Sequence, residues 1–498
     1  MPQRNDTAIW SGLFRISAES GQTLQAQIRQ AIVAAILDRQ IAASMPLPSC
    51  RILAEKLGVA RGTVVLAFQQ LVDQGFLIAR ERRGHFVNPD VLASPARPTP
   101  KAADAGSDQV DWKALRRISA SDMPSPLKQD NWIKSSYPFV YGQFDPALFP
   151  TAEWRECNRM ALAVLEIRNW AADMVDRDDP LLIEQIQARL LPRRGIFANP
   201  DEIIVTLGAQ NALYMLATLL MGKGSKVAME DPGYPDARSI FRLAGAEIAA
   251  TPVDREGIVT DEIASDAGFV FVTPSHHCPT MVPLSAGRRQ DLLARAVRHN
   301  QIVIEDGYDS QLLDEAPQQA LKSLDRSGRV VYVGSMSKTL APGLRLGYIV
   351  ASADLIAELR ALRRFMLRHP PANNQRAVAL FLSLGHHEAL VRRLSAAFEE
   401  RRKRLVHAIS AFLPEWHPTD SAGGTSLWLE GPRGTNARTL AEAAAARSVI
   451  IEPGDRFFDR TEKPSRFMRL GISSIALQHI EPGIRELATA AGRRPAAA

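Results

Sequence analysis

The stretch Gly334-Ser-Met-Ser-Lys-Thr-Leu-Ala-Pro-Gly-Leu-Arg345 follows an apolar run, Val330-Val-Tyr-Val333. Four β-branched or aromatic residues ending at a Gly-Ser pair read as a buried strand that opens into a loop. Lys338 then stands just past the strand, with two hydroxyls, Ser335 and Ser337, and a guanidinium, Arg345, near it in the chain. A lysine amine becomes a nucleophile when burial or neighbouring cations keep it neutral. Hydroxyls and an arginine are phosphate-binding chemistry. Taken alone, Ser-x-Ser-Lys is equally compatible with an ordinary surface lysine.

Working outward, short β-branched runs alternate with helical patterns: Ile203–Val205, Lys226–Met229, Gly268–Thr273, Gln301–Glu305 and Val330–Val333. That alternation predicts an α/β sheet, largely parallel. Residues 203–222 are uncharged and long enough to be weighed as a membrane span. Gly208, Gln210 and Asn211 argue against it and split the stretch into a strand, Ile203–Thr206, and a helix, Ala209–Met221. From about residue 352 a charged helical region leads to a smaller C-terminal part.

Four further segments carry candidate chemistry. Thr206-Leu-Gly-Ala-Gln-Asn-Ala212 is a strand-to-helix turn. There Gly208 permits close backbone approach, and the N–H groups of Ala209 and Gln210 open a helix whose positive end suits phosphate. The others are Glu230-Asp-Pro-Gly-Tyr-Pro235, Glu305-Asp-Gly-Tyr308 and Arg466-Phe-Met-Arg-Leu-Gly471. Each has a bland reading, as a cap or a turn. Their order along one chain is what carries weight.

The first hundred residues are of another kind. Leu24, Ile28, Ile32, Ala35 and Ile36 have helical spacing across Thr23 to Leu37. Then comes Leu47-Pro-Ser-Cys-Arg-Ile-Leu-Ala-Glu-Lys-Leu-Gly-Val-Ala-Arg-Gly-Thr-Val64. Ser49 is placed to cap a short helix ending at Gly58. A second helix is expected from Arg61 to Gln74, with Val65, Phe68, Leu71 and Val72 inward. Two strands, Phe76–Arg80 and Gly84–Val87, would follow. Prolines at 89, 95, 98, 100, 124 and 126 then mark a long linker.

At 498 residues the chain suits two or three domains. Its net charge of +6 permits nucleic acid without demanding it. Residues 1–95 hold ten Lys and Arg against seven Asp and Glu, a modest field, so a nucleic-acid reading rests on local placement. Three scattered cysteines give neither a disulfide framework nor a metal spacing, so no metal is expected, and they suit a reducing cytoplasm. No signal-peptide core opens the chain.

The N-terminal pattern resembles the winged helix-turn-helix of GntR-type regulators. The resemblance implies that the helix beginning at Arg61 enters the major groove of operator DNA. Arg61 would contact guanine, Thr63 a phosphate or base, and Arg51 the DNA from the preceding helix. Arg82, Arg83 and His85 would offer wing cations to the backbone. Cys50 and Ala60 depart from the pattern, which usually has Ser or Glu at the first and Ser or Thr at the second.

The segments from residue 206 onward resemble the fold-type I, pyridoxal-phosphate-dependent aminotransferases. That likeness implies a large α/β part and a small C-terminal α/β part. It makes Lys338 the Schiff-base lysine for pyridoxal 5'-phosphate, with Gly208, Ala209, Gln210, Ser335, Ser337 and Arg345 around the phosphate. Tyr234 would stack on the ring, Asp306 would pair with its nitrogen, and Tyr308 would donate to its phenolate oxygen. Arg469 would clamp a carboxylate. Two departures stand out. The asparagine usual before Pro-Thr is absent from His276-His-Cys-Pro-Thr280, where His277 is a candidate substitute or a structural histidine. The Gly-Tyr usual before the first large-domain helix is replaced by Asp179-Pro-Leu-Leu-Ile183.

Together the two patterns resemble the MocR-type bacterial regulators. The implied organisation is a DNA-binding domain at 10–88, a flexible linker at 89–136 and an effector domain at 137–498. The implied function is a cytoplasmic, homodimeric transcription factor sensing a small amine or amino acid by external aldimine formation at Lys338. The alternative is an aminotransferase with an accessory DNA-binding module.

Overall fold

The computed structural model describes residues 21–42, 45–92, 110–125, 132–308, 319–419, 423–459 and 465–492. Residues 10–20 of the expected DNA-binding domain, and 93–109 and 126–131 of the expected linker, lie outside the described residues. The chain divides into two units, Met1–Leu115 and Arg116–Ala498.

In the first unit three helices pack around one apolar core. The first, α1 (Leu24–Leu37), is capped by the Thr23 hydroxyl, which accepts from Ala26 N at 3.3 Å. The second, α2 (Cys50–Leu57), is capped in the same way by Ser49 and ends at Gly58, whose φ of 62° favours glycine. The third, α3 (Arg61–Asp73), begins at Ala60, which makes no side-chain cap. Its buried stripe is Val64, Ala67, Phe68 and Leu71, at i, i+3, i+4 and i+7. Val65 was expected inward and is instead 42% exposed. One residue along a helix is a turn of about 100°, which carries Val65 off the stripe. Strands Leu77–Arg80 and Gly84–Val87 pair antiparallel to form the wing.

The second unit is built on an eight-stranded sheet. Its order is Ile203–Thr206, Gly347–Val350, Val330–Ser335, Ile302–Gly307, Phe269–Val272, Lys226–Asp231, Glu247–Asp254 and Gly257–Ile258. The five strands from Val330 to Glu247 in that order run parallel, while Gly347–Val350 is antiparallel to both neighbours. Helices Ala209–Leu220, Pro235–Leu243 and Ala286–Arg298 lie between successive strands in the chain, as crossovers require. The central strands are buried nearly throughout and read as continuous apolar runs, whereas Glu247–Asp254 near the edge is mostly exposed or half-buried. Glu247–Asp254 and Gly347–Val350 were not foreseen. The first holds a proline and two alanines, and the second is only four residues long.

A separate four-stranded antiparallel sheet holds His417–Pro418, Ser426–Glu430, Phe467–Gly471 and Glu452–Pro453, in that order. The 27-residue helix His386–Phe412 packs against the last helix, Leu477–Ala490. Tyr137–Pro138 pairs with Val449–Ile450. Short helical turns occur at Pro89–Leu92, Trp112–Leu115, Ala120–Asp122 and Trp132–Lys134, within the span expected as linker. The carbonyls of Pro124 and Ser125 accept hydrogen bonds from Ser239 Oγ at 2.9 Å and Arg456 Nη1 at 2.7 Å. Among the described residues, no helix is long and apolar enough to cross a membrane.

Candidate functional site

In an open parallel sheet the strand ends at the carboxyl edge leave a crevice where loops converge. Here the ends of five strands and the loops after them meet there and enclose, with the four-stranded sheet, a cavity of about 440 Å³. Lys338, Asp306, Tyr308, Tyr234, Ala209, Gln210, Ser335, Ser337, Arg345 and Arg469 all line it. Segments far apart in the chain are thus brought to one place.

Lys338 follows the Val330–Ser335 strand, and its Nζ lies 4.1 Å from the centroid of the Tyr141 ring. A cation over an aromatic face is attracted by the ring quadrupole. Gly142 stands against the same amine: a Cβ there would come within 2.7 Å of Nζ.

Asp306 lies in the neighbouring parallel strand, with Val333 as its register partner. It is buried, and its Oδ1 has no hydrogen-bond partner among the described residues. Burial pushes its carboxyl up to about 7, against the opposing pull of Lys338. The Tyr308 hydroxyl donates to the carbonyl of His276 at 2.9 Å.

The opposite corner is a cradle. Gly208, with φ of 80°, precedes the helix Ala209–Leu220, whose first N–H groups have no intrahelical acceptor. Arg345 adopts φ of 51° and donates from Nη2 to Leu207 O at 3.0 Å. A Cβ on Gly208 would meet that guanidinium at 3.4 Å. Ser335 Oγ accepts from Ser337 N at 3.3 Å, while Ser337 Oγ is buried with no hydrogen-bond partner among the described residues. Gln210 Nε2 and the Tyr234 hydroxyl both donate to Asp236 Oδ2, at 3.3 and 3.2 Å.

Arg469 comes from the Phe467–Gly471 strand of the smaller sheet and is buried. Its guanidinium carbon sits 3.8 Å from the Tyr141 ring centroid and 4.6 Å from that of Phe457. Its Nε and Nη2 both bond Glu452 Oε2, at 2.8 and 2.6 Å. Burial opposes its charge, but Glu452 outweighs that and holds its pKa above the ordinary arginine value.

Tyr141, Gly142, Cys278 and Glu452 line or touch the cavity and were not singled out from the sequence. Cys278 had a readable signal, since it is the residue directly before Pro279-Thr280. It lies 3.7 Å from Arg469 Nη1, and burial raises its thiol to about 12. His277 does not line the cavity. It is buried, with Nδ1 2.6 Å from Thr280 Oγ1 and Nε2 3.6 Å from Glu230, and burial pushes it down to about 3. This is a neutral structural histidine. Asp179 caps the helix Pro180–Gln185 and pairs with Arg376 at 2.8 Å, so that segment is structural as well.

In the first unit Arg51, Arg61, Arg82 and Arg83 are exposed, and Thr63 is half-buried near the start of α3. His85 turns its ring edge-on to Phe68, with centroids 5.0 Å apart, and burial lowers its pKa. Of the cations expected on the wing, His85 is half-buried against Phe68, where burial disfavours its charged form, while the two arginines face solvent.

Residues 24–87 match the family of bacterial regulatory proteins, gntR family, and residues 154–476 match aminotransferase class I and II. The chain is 44% identical to the HTH-type transcriptional regulator TauR of Rhodobacter capsulatus, over 95% of this chain and 98% of that protein. It belongs to the MocR-type regulators. A second member, the probable rhizopine catabolism regulatory protein MocR of Rhizobium meliloti, is 29% identical over 93% of each chain. The HTH-type pyridoxine biosynthesis regulator PdxR of Corynebacterium glutamicum is 30% identical over 84% of this chain and 85% of its own. Among solved structures, the α-aminoadipate aminotransferase LysN of Thermus thermophilus superposes with a TM-score of 0.68 at 26% identity, covering 76% of this chain and 98% of that one. In this MocR-type regulator a GntR helix-turn-helix is thus joined to a fold-type I aminotransferase domain.

Proposed function

We propose that this regulator reads a small amine or amino acid in the Lys338 cavity and answers with altered operator binding, using pyridoxal phosphate as its resident cofactor. One observation carries the reading. Lys338, the buried Asp306 and a phosphate-type cradle converge on one cavity, in a chain that also carries a helix-turn-helix.

The residues fit the cofactor. The unpartnered Oδ1 of Asp306 calls for a donor, and a protonated pyridine nitrogen is both donor and counter-charge. The buried Ser337 hydroxyl, Ser335, Arg345 and the N–H groups of Ala209 and Gln210 would hold the phosphate. Tyr234 and Tyr308 stand in the wall to bound the ring and its oxygen. When bound, the cofactor supplies an aldehyde carbon that a primary amine can capture reversibly.

The chain's own groups then have separate tasks. Lys338 would supply the amine that a ligand amine replaces. Asp306 keeps a proton on the ring nitrogen. Arg469 presents its Nη1 side to an acid group on the ligand. Release of the Lys338 amine frees it to repack against Tyr141 and Gly142, and a ligand that favours one packing shifts the population of the whole chain. The protein acts as a cytoplasmic homodimer on double-stranded operator DNA, since fold-type I sites lie at two-fold interfaces.

The test is a titration of purified protein with amines and amino acids, read by visible absorbance and by gel shift on its own promoter region. A ligand that changes both without turnover supports sensing. Sustained conversion of an amino acid to its oxo acid, with no effect on DNA binding, would establish the enzyme instead.

A further inference from the structure

The cavity wall contains an acid with no role in the reading above. Glu452 is 6% exposed and comes from the short strand that pairs with the Arg469 strand. Its Oε2 takes both Nε and Nη2 of Arg469, so one oxygen spans one edge of the guanidinium. The other oxygen, Oε1, is buried and has no hydrogen-bond partner among the described residues. A buried carboxylate oxygen left in that state is unfavourable, and only a donor relieves it. Cys278 Sγ accepts from Arg469 Nη1 at 3.7 Å, and its S–H is at best a weak donor.

We propose that Glu452 sets the ligand class of this cavity: an amino acid carrying a further hydrogen-bond donor, a hydroxyl or an ammonium, on a carbon beside its acid group. This rests on the reading that the cavity binds an amino acid whose acid lies on Arg469. Because the ligand acid and Glu452 share one guanidinium, Oε1 belongs to the group beside the ligand's acid end. A bare amino acid puts a second anion next to Glu452 with a single cation between them. A donor adjacent to the acid bonds Oε1 and offsets that repulsion. A site built around a buried acceptor discriminates against the analogue that lacks the donor.

The experiment is calorimetric titration of the cofactor-loaded, full-length protein with 3-aminopropanoate, 3-amino-2-hydroxypropanoate and 2,3-diaminopropanoate. The two donor-bearing compounds are expected to bind at least about tenfold more tightly than the first. In Glu452→Gln the side-chain amide can turn its NH₂ toward the cavity, and the gap should shrink to about twofold or less. Equal affinities in the wild type overturn the proposal, as they would if water already satisfied Oε1. A gap that persists undiminished in Glu452→Gln overturns it too. Binding of none of the three refutes amino-acid recognition in this cavity as well, whereas equal binding refutes only the role of Glu452. The wild-type comparison needs no variant, so it decides the question even where Glu452→Gln does not fold.

Discussion

Gly142 lies against the amine of Lys338, close enough that a Cβ on it would sit 2.7 Å from Nζ. Its φ is +73°, in the region where a side chain is strained. Gly142→Ala therefore acts twice, by backbone strain of about 1 kcal/mol and by pushing the lysine amine aside. The lysine is flexible, so the fold should survive while cofactor loading falls. Absorbance per mole of purified protein, set beside the thermal midpoint, separates the two effects. Full loading in the variant would show that the amine has room to spare.

Lys338→Ala should purify without the borohydride-reducible absorbance and lose its response to effector, while gel shifts persist. A reducible chromophore remaining in the variant would move the assignment to another lysine.

Asp306 gives a pH dependence with a definite sign. Burial raises its carboxyl from 3.8 to about 7, so between those values the folded state holds a proton that the unfolded state has released. Stability of the cofactor-free protein from this group is complete below the lower value and falls as pH rises through the higher. The loss is at most about 4 kcal/mol. Asp306→Asn should flatten that decline and weaken cofactor binding by about 1.5–3 kcal/mol through loss of a charged hydrogen bond. Glu230, raised to about 8 by burial, keeps a residual slope in the variant. Thermal midpoints across pH, with and without cofactor, check both parts.

Arg469→Ala should leave the cofactor spectrum intact and raise the effector concentration needed for half-response. It also strands Glu452 without its cation, which costs stability as any broken buried pair does. Arg469→Lys keeps a charge beside Glu452 but lacks the planar fork, and so isolates the binding effect. Unchanged half-response in both variants would remove the clamp.

On the DNA side, Arg61→Ala should cost about 1–3 kcal/mol of operator binding and relax base preference, if its fork reads a guanine. Arg82→Ala and Arg83→Ala should weaken binding evenly across sequences and lower the salt slope by about one each. His85→Ala, by contrast, should lower stability, because its ring packs on Phe68. Gel shifts at several salt concentrations distinguish these behaviours.

The sequence exposed what short-range chemistry dictates. Ser49, Gly58 and the stripe around Phe68 announce α2 and α3 through caps and periodicity, and apolar runs such as Val330–Val333 announce buried strands. Ten cavity residues were named in advance because their segments, in their order along the chain, resemble those of the fold-type I aminotransferases. What could not be read arises from contacts between distant segments. Glu452 becomes a cavity residue only because its strand pairs with Phe467–Gly471. Tyr141 reaches Lys338 because Tyr137–Pro138 pairs with Val449–Ile450, some three hundred positions away. Neither pairing leaves a local periodic signal. The inward turn of His85 was likewise hidden, since a strand's alternation shows which residues share a face but not which face meets Phe68.

The hydrogen bonds that hold Pro124 and Ser125 bear on how a message leaves the cavity. Ser125 is itself part of the cavity wall, and its carbonyl is gripped by Arg456, three residues past Pro453 and four past Glu452. The peptide that arrives from the DNA reader is thus fastened where a ligand would press.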